Sequence, residues 1–128
     1  MILVDSSIWI DHLRSRDAAL AELLLRGQVL GHPFVVGELA LGSLRRREEI
    51  IGALLDLPKA IVADDAEVLA LIGRETLHGR GIGYIDAHLL ASVRLTPDAL
   101  LWTRDRRLHD AADHLGMAVP SLSDRSPR

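Results

Sequence analysis

Short apolar runs alternate along this chain with longer segments whose apolar residues recur at helical spacing. The runs are too short and continuous for helices, and they predict buried strands at residues 2–4, 29–30, 61–62, 100–103 and 117–119. The periodic segments predict helices that begin near Ser6 and at Pro33, and further helices at residues 18–26, 45–55, 65–77, 84–94 and 106–115. This alternation predicts an α/β fold with a mostly parallel sheet.

Residues that favour helix ends support these boundaries. Ser6 or Ser7 can cap the first helix, and Asp64 or Asp65 can cap the helix that runs to about residue 77. Pro33 suits the first turn of its helix. The side chains predicted to face inward include Val35, Leu39, Leu41, Ile85, Leu89, Leu90 and Val93.

Length and composition indicate a single domain. The chain has 128 residues and is 48% hydrophobic, so residues 1–128 can form one domain with a full core, with a polar end at 121–128 that we expect to be frayed. Cysteine is absent, which excludes disulfides and thiolate metal sites. No apolar run reaches the roughly 18 residues of a membrane span, and residues 1–4 are too short for a signal peptide, so we expect a cytoplasmic protein.

Four acidic residues share one kind of position, where an apolar run gives way to a helical segment. They are Asp5, Glu38, Asp86 and Asp105. A carboxylate among apolar residues costs free energy unless something compensates it, and sites in open parallel sheets form beyond the carboxyl ends of the strands. The four positions together predict one shared site of oxygen ligands, which is what a hard divalent cation requires.

Several of these features also have ordinary structural interpretations. A single aspartate at a strand end is more often a helix cap than a ligand, so only the four together indicate a site. The glycines of residues 79–83 lack the spacing of a dinucleotide-binding motif. The six histidines show no zinc-like spacing, and we expect ordinary structural roles for them. The formal net charge of −3 looks unsuited to nucleic acid, but leaving out the four acids changes it to +1.

The sequence around the acids resembles the PIN-domain ribonucleases, and within them the VapC-type toxins of bacterial and archaeal toxin–antitoxin pairs. The matching stretches are VDSSIWI at residues 4–10, VGEL at 36–39 with Gly42, GYIDAHLLAS at 83–92 and LWTRD at 101–105. Their order and spacing extend over nearly the whole chain. The resemblance implies a three-layer α/β/α sandwich with a central, mostly parallel sheet.

The resemblance also implies the chemistry of the site. The residues that match the family's acidic metal ligands are Asp5, Glu38, Asp86 and Asp105. Thr103 matches its hydroxyl or amide position, while Arg106 and Arg107 stand where some relatives carry another acid, so one bound ion or two stay open. With Mg²⁺ or Mn²⁺ such a site would activate a water and hydrolyse RNA, leaving 5′-phosphate and 3′-hydroxyl ends.

Partners follow from the same resemblance. It implies a VapB-type antitoxin, a homodimer, and contact with DNA only indirectly through the antitoxin. Residues 33–55 carry more apolar side chains than one core-facing stripe needs, and an antitoxin helix could cover the surplus, unless these residues pack internally or at the dimer contact. They are Leu39, Leu41, Leu44, Ile50, Ile51, Leu54 and Leu55.

Arginines follow three of the acidic motifs and could form a track for RNA phosphates. They are Arg14, Arg16, Arg45, Arg46, Arg47, Arg104, Arg106 and Arg107. The other interpretation is a solvated helix face, on which Glu48 and Glu49 pair with the arginines at 45–47.

Two other functions stay open on the sequence alone. An acid-cluster phosphatase or receiver-type phospho-acceptor would use a strand-end aspartate as its nucleophile. A receiver also needs a strand-end lysine, but Lys59, the single lysine, lies in a proline-containing turn. A non-catalytic PIN-like module would bind RNA or protein only, and we would expect it to lack some of the four acids. Metal titration followed by a cleavage assay separates the three.

Overall fold

The structure is a computed structural model of the chain, and it describes residues 1–120. The end at residues 121–128, predicted to be frayed, lies outside the described residues. The strands in the described range are β1 (Ile2–Val4), β2 (Val29–Leu30) and β3 (Leu100–Trp102). They run parallel in the order β2-β1-β3, so β1 is the central strand. The residue after β1 therefore lies in the middle of the sheet's carboxyl edge, where sites form in such folds.

Helices connect the strands. Those within residues 1–120 are α1 (Ser6–Arg14), α2 (Ala18–Leu25), α3 (Pro33–Ala40), α4 (Arg47–Leu55), α5 (Asp65–Arg74), α6 (Tyr84–Leu95) and α7 (Arg106–His114). α1 packs against α3, α3 against α4 and α5 against α6, while α6 and α7 contact β3. Helical crossovers between parallel strands produce the α/β sandwich, and the predicted fold class is confirmed. None of these helices is both long and apolar enough to cross a bilayer.

The core is aliphatic, and α6 is its most deeply buried helix. Its residues from Ala87 to Val93 are all buried, and a helix enclosed on every side is apolar nearly all round. Trp9 and Trp102 are buried in the same core. The enclosure of α6 fixes its first turn, which carries Asp86, against the rest of the fold.

The strand predicted at residues 61–62 is wrong. Ile61 and Val62 are both about half exposed, and the chain meets the sheet two residues earlier, through an isolated parallel bridge between Gly31 and Lys59. A short run of β-branched residues forms a strand only where a neighbouring strand offers pairing, and β2 spans only two residues. The edge of the sheet ends before these residues reach it.

The strand predicted at residues 117–119 is reduced to a single bridge. Ala118 pairs in parallel with Leu101, which also exchanges backbone hydrogen bonds with Met117 and Val119. This segment is held against β3 and closes that side of the sheet, although it is too short to count as a strand of its own.

Two side chains predicted to face inward are exposed instead. Leu41 is 91% exposed, because α3 ends at Ala40 and helical spacing no longer applies beyond it. Ile85 is 41% exposed, because it lies in the first turn of α6, before the enclosed part of the helix begins at Ala87. Both errors come from extending a helical pattern past the part of the helix that is packed.

Candidate active site

Asp5 directly follows β1 and is the N-cap of α1. The prediction that Ser6 or Ser7 caps this helix is wrong, because the Asp5 carboxylate accepts the Ser6 N–H at 2.8 Å. The residue is only 6% exposed, and a buried carboxylate needs partners. Its Oδ2 atom accepts hydrogen bonds from Thr103 Oγ1 at 2.7 Å and from Ser7 Oγ at 3.0 Å. These bonds fix the carboxylate in one orientation.

Thr103 connects two of the predicted site residues. It follows β3 and is buried, and its hydroxyl donates to Asp5 while accepting the N–H of Asp105 at 3.0 Å. β1 and β3 are neighbouring parallel strands, so the groups at their carboxyl ends meet at one edge. The contacts of Thr103 therefore support a role in aligning the two carboxylates.

Asp105 is the N-cap of α7. Its Oδ1 atom accepts the N–H of Leu108 at 3.1 Å, which satisfies one of the free donors at the start of the helix. That bond engages one carboxylate oxygen, and the other has lone pairs of its own. Capping α7 and binding a ligand are therefore compatible for this exposed side chain.

Glu38 projects from α3 toward the same edge. Its Oε1 atom accepts a hydrogen bond from Ser6 Oγ at 3.3 Å. Partial burial raises the pKa of Glu38, and the charge of Asp5 raises it further; the Ser6 hydrogen bond opposes this shift, and the charge of Asp86 adds to it. The carboxylate is therefore held among like charges.

Asp86 lies in the first turn of α6, where its Oδ2 atom accepts the N–H of Gly83 at 3.3 Å. Partial burial raises the pKa of Asp86, and the charges of Asp5 and Asp105 raise it further, although the Gly83 hydrogen bond lowers it. A helix N-terminus also favours negative charge. The backbone therefore stabilises the ionised form of Asp86, and the neighbouring carboxylates destabilise it.

The four predicted carboxylates converge around Asp5. The charge of Asp5 raises the pKa values of both Glu38 and Asp86. The charge of Asp86 also raises the pKa of Glu38, and the charge of Asp105 raises that of Asp86. Like charges shift each other's pKa in this way only at short range. Asp5 and Asp105 follow β1 and β3, and α3 and α6 carry Glu38 and Asp86, so negative charge is concentrated at this edge of the sheet.

The donor set fits a hard divalent cation. Within residues 1–120, no three carboxylates or histidines stand close enough to hold an ion without adjustment. The available atoms are nevertheless all carboxylate oxygens, which Mg²⁺ and Mn²⁺ prefer, and their mutual repulsion is what a cation relieves. Glu38 and Asp105 are exposed and have room to adjust.

Arg104 is engaged elsewhere and does not form part of a phosphate track. Its guanidinium pairs with Asp11 at 2.5 Å and with Asp17, the N-cap of α2, at 2.8 Å. These contacts tie the loop after β3 to α1 and α2. The interpretation of this arginine as a phosphate ligand is therefore corrected: it supports the loop that carries Asp105.

A groove of about 750 Å³ opens beside Glu38, between α1 and the segment from α3 to α4. Its lining combines apolar side chains with cations, namely Ile10, Leu13, Leu39, Leu44 and Ile50 with Arg14, Arg45 and Arg46. Arg46 pairs with Glu49 at 2.7 Å on an exposed face, as the solvated-face interpretation predicted. Arg14 and Arg45 line the same groove next to the acidic site.

The apolar residues predicted as surplus at positions 33–55 differ in burial, and Ile50 and Ile51 are partly buried against the core. Leu39 and Leu54 are buried in the core. Leu41 and Leu55 are exposed, at 91% and 51%, while Leu44 lines the groove. Internal packing thus accounts for part of the predicted surplus, and part of it remains on the surface.

The buried His32 has a structural role, as expected. His32 caps α3 by accepting the Phe34 N–H at its Nδ1 atom, at 3.1 Å, and its Nε2 atom bonds to Ser92 Oγ at 2.9 Å. Burial lowers the pKa of His32 to about 4, with a further contribution from His88, so the ring is neutral near pH 7.

Lys59 does not occupy the position that a receiver-type phospho-acceptor requires. Its ammonium donates to the carbonyl oxygen of Leu55, at the end of α4, at 2.8 Å. The lysine is therefore bound to a helix terminus.

Ser6 and Ser7 also contribute to the site, a role that was not predicted from the sequence. Ser6 Oγ lies 3.4 Å from Asp5 Oδ1 and 3.3 Å from Glu38 Oε1, and Ser7 Oγ contacts Asp5 and accepts the N–H of Arg104 at 3.1 Å. The signal was present as two hydroxyls directly after a strand-end aspartate. It was assigned to helix capping, a role that Asp5 fills instead.

Comparison with known proteins agrees with this geometry. The chain matches the PIN domain family over residues 2–114, and it therefore belongs to the PIN-domain family. It is also 50% identical, over 119 residues, to proteins named Ribonuclease VapC32 from two strains of Mycobacterium tuberculosis, CDC 1551 / Oshkosh and ATCC 25618 / H37Rv. The match covers 93% of this chain and 96% of each relative. The predicted resemblance to VapC-type PIN ribonucleases is confirmed.

Proposed function

We propose that this protein is a metal-dependent endoribonuclease that acts as the toxin of a toxin–antitoxin pair. The observation that carries the proposal is the convergence of the four acids at the carboxyl edge of the sheet, where neighbouring carboxylates help to raise the pKa values of Glu38 and Asp86. Membership of the PIN-domain family supports the proposal. The name of the similar mycobacterial proteins, Ribonuclease VapC32, supports RNA as the substrate.

The cofactor is Mg²⁺, with Mn²⁺ as a substitute. Asp5, Asp86 and Asp105 would hold the ion, and Glu38 would either complete its shell or orient the attacking water. A bound divalent ion would lower the pKa of that water and would neutralise charge on the phosphate oxygens. The carboxylates provide the negative potential that attracts the ion, and their hydrogen bonds keep them in place.

The chain's own residues position the reacting groups. Thr103 holds the carboxylate of Asp5 at 2.7 Å with its single hydroxyl proton, and the remaining lone pair of its oxygen can accept a hydrogen bond from a water. Arg14 and Arg45, in the groove beside Glu38, would contact the RNA backbone, since guanidinium groups bind phosphate oxygens well. Arg106 and Arg107 directly follow Asp105 in the sequence, at the start of α7, and could extend this contact.

A cleavage assay tests the proposal. The purified protein should cut RNA with Mg²⁺ or Mn²⁺ and leave it intact with EDTA, and the products should carry 5′-phosphate and 3′-hydroxyl ends. Asp86→Asn should be inactive, whereas Asp110→Asn, which makes the same change of charge on the exposed face of α7, should cleave like the parent. Undiminished cleavage in EDTA would exclude the metal mechanism, and metal binding without cleavage would favour a binding module.

The partner is a VapB-type antitoxin that covers the groove beside Glu38. An amphipathic helix fits its apolar lining, from Ile10 to Ile50, and an arginine of the antitoxin could pair with the carboxylates in place of the ion. Expression of the chain alone should then slow growth, and Asp5→Ala should remove that effect. Equal growth with and without soluble protein would contradict the toxin role.

The remaining parts of the proposal concern assembly and location. The protein is expected to be a homodimer, to contact DNA only through its antitoxin, and to act on RNA in the cytoplasm. The exposed Leu41 and Leu55 are candidates for contacts with either partner. Light scattering of the protein alone and with its antitoxin would establish the stoichiometry.

A further inference from the structure

Ser7 lies between two segments that are far apart in sequence. Its Oγ atom is 3.0 Å from Asp5 Oδ2, 3.1 Å from the backbone nitrogen of Arg104 and 3.4 Å from Thr103 Oγ1. Ser7 belongs to the first turn of α1, whereas Arg104 belongs to the loop between β3 and α7. One hydroxyl therefore touches both halves of the acidic site.

The direction of each hydrogen bond follows from the single proton of a hydroxyl group. Ser7 Oγ accepts the N–H of Arg104, and its own proton is directed to Asp5 Oδ2, its nearer acceptor. Thr103 repeats the pattern, because it accepts the N–H of Asp105 and donates to the same Asp5 oxygen. Two consecutive backbone N–H groups of the loop are thus linked to one carboxylate oxygen, each through one hydroxyl.

This pair of links sets the loop's position relative to Asp5. The N–H of Asp105 is bound by the Thr103 hydroxyl, and the N–H of Arg104 is bound by the Ser7 hydroxyl. Loss of the Ser7 link would leave the loop held by Thr103 and by the Arg104 side chain, but it would release the Arg104 N–H and allow a small rotation of that peptide. Because catalytic groups must be placed to well under an ångström, such a rotation affects chemistry more than it affects folding.

We propose that Ser7 is a positioning residue, whose hydroxyl holds Asp5 and the loop of Asp105 in the register that lets both carboxylates hold the same metal ion. The inference rests on the proposed function of this site. Ser7 acts through Asp5 and the loop, and it does not contact the reacting atoms. It belongs to the supporting groups whose loss typically lowers activity or metal affinity by about 10- to 100-fold.

Three substitutions test the role of the hydroxyl. Ser7→Ala removes it, Ser7→Thr retains it, and Ser15→Ala is the matched control at the exposed far end of α1. In RNA cleavage with Mn²⁺, Ser7→Ala should lower kcat by at least about 10-fold with KM within about twofold, while Ser7→Thr should recover most of the activity. Ser15→Ala should match the parent.

Two measurements do not depend on cleavage. Calorimetry should show Mn²⁺ binding weakened by about 10-fold in Ser7→Ala and restored in Ser7→Thr. In NMR spectra of the metal-free protein, the Arg104 amide should shift and exchange faster with solvent in Ser7→Ala, and neither change should appear in Ser15→Ala. A serine that only supported the fold would not explain a loss confined to kcat, and it would not explain the recovery of activity in Ser7→Thr.

The outcomes separate this inference from the proposed function. A parent protein that does not cleave RNA refutes the function, and the Mn²⁺ and Arg104 measurements still decide the role of Ser7. A cleaving parent with an equally active Ser7→Ala, or with an unchanged Arg104 amide, overturns the role of Ser7 alone. If Ser7→Ala does not fold, Ser7→Cys, whose thiol is a weaker donor, should give intermediate activity; full activity per folded molecule would overturn the inference.

Discussion

The two carboxylates at strand ends and the two carried by helices are held in different ways. Asp5 and Asp105 cap α1 and α7, and Asp5 accepts hydrogen bonds of 2.7–3.0 Å from the Thr103 and Ser7 hydroxyls and the Ser6 N–H. The hydrogen bonds that reach Glu38 and Asp86 are longer, at 3.3 Å each. The pKa values of the helix-borne pair are also raised, first by burial and then by neighbouring charge.

The difference separates two kinds of contribution to one site. The strand-end pair serves the fold as well as the chemistry, because each carboxylate satisfies backbone donors at the start of a helix. The helix-borne pair serves the site at some cost to the fold, since a carboxylate with a raised pKa destabilises the native state when ionised. Substitution of either pair should end cleavage, but the effects on stability should have opposite signs.

Asp5→Ala should give the largest combined effect. Cleavage should fall by at least about 100-fold, the upper end expected even for residues that only support a metal ligand. The free energy of unfolding should fall by about 3 kcal/mol, because α1 loses its cap and the hydroxyls of Ser7 and Thr103 lose their acceptor. Denaturant unfolding in EDTA measures the second effect. An Asp5→Ala protein as stable as the parent would show that these hydrogen bonds do no more than offset the repulsion between Asp5 and the other acids.

Asp86→Asn should end cleavage to a similar extent without this loss of stability. The substitution keeps the shape of the side chain and removes a charge that Asp5 and Asp105 oppose. The metal-free variant should therefore melt at the same temperature as the parent or higher. Thermal melts in EDTA provide the measurement, and a melting temperature well below the parent's would mean that Asp86 is a structural residue.

Bound metal should make the parent protein melt at a higher temperature than Asp86→Asn. A ligand that binds only the native state stabilises it by mass action, which amounts to about 2.7 kcal/mol at 100 times the dissociation constant. Mg²⁺ should raise the melting temperature of the parent by that mechanism and raise that of Asp86→Asn less. Equal increases in both proteins would remove Asp86 from the metal ligands.

The strand-end aspartates show what the sequence could and could not provide. An aspartate after an apolar run was interpreted as either a helix cap or a ligand, yet Asp5 and Asp105 are caps whose carboxylates also converge with the other acids. Local pattern located the strands β1, β2 and β3 within one residue and most helices within two or three, because burial and periodicity are local properties. It also named the four acids that converge.

The rest depends on contacts between distant segments. Arg104 looked available for phosphate because Asp11 and Asp17 lie about ninety residues away in sequence. The link between Ser7 and the loop after β3 could not be predicted for the same reason, since only the sheet brings β1 and β3 together. Residues 61–62 had the composition of a strand, but no full-length edge strand was available to pair with them.

The role of Asp105 as both cap and site residue can be separated by two substitutions. Asp105→Ala should end cleavage and cost about 1 kcal/mol, because α7 loses the hydrogen bond to the Leu108 N–H. Asp105→Ser should also end cleavage but keep nearly full stability, since serine caps helices about as well as aspartate. Urea unfolding of the three proteins in EDTA gives the comparison. Equal stability of all three would show that the cap contributes little.

The smallest expected effect is the pH dependence of the stability difference between Asp86→Asn and the parent. Because the pKa of Asp86 is raised in the folded state, that state binds more protons than the unfolded chain between the unfolded and the raised pKa values. The parent therefore loses stability as pH rises through this window, and the penalty is fully present above it. In EDTA, the advantage of Asp86→Asn should be smallest at or below the unfolded-state pKa of about 4 and should grow as pH rises above it. Asp110→Asn makes the same charge change on the exposed face of α7, and its difference from the parent should show no such growth. A gap for Asp86→Asn that stays constant, or narrows as pH rises, would contradict the repulsion that distinguishes the helix-borne carboxylates from the strand-end pair.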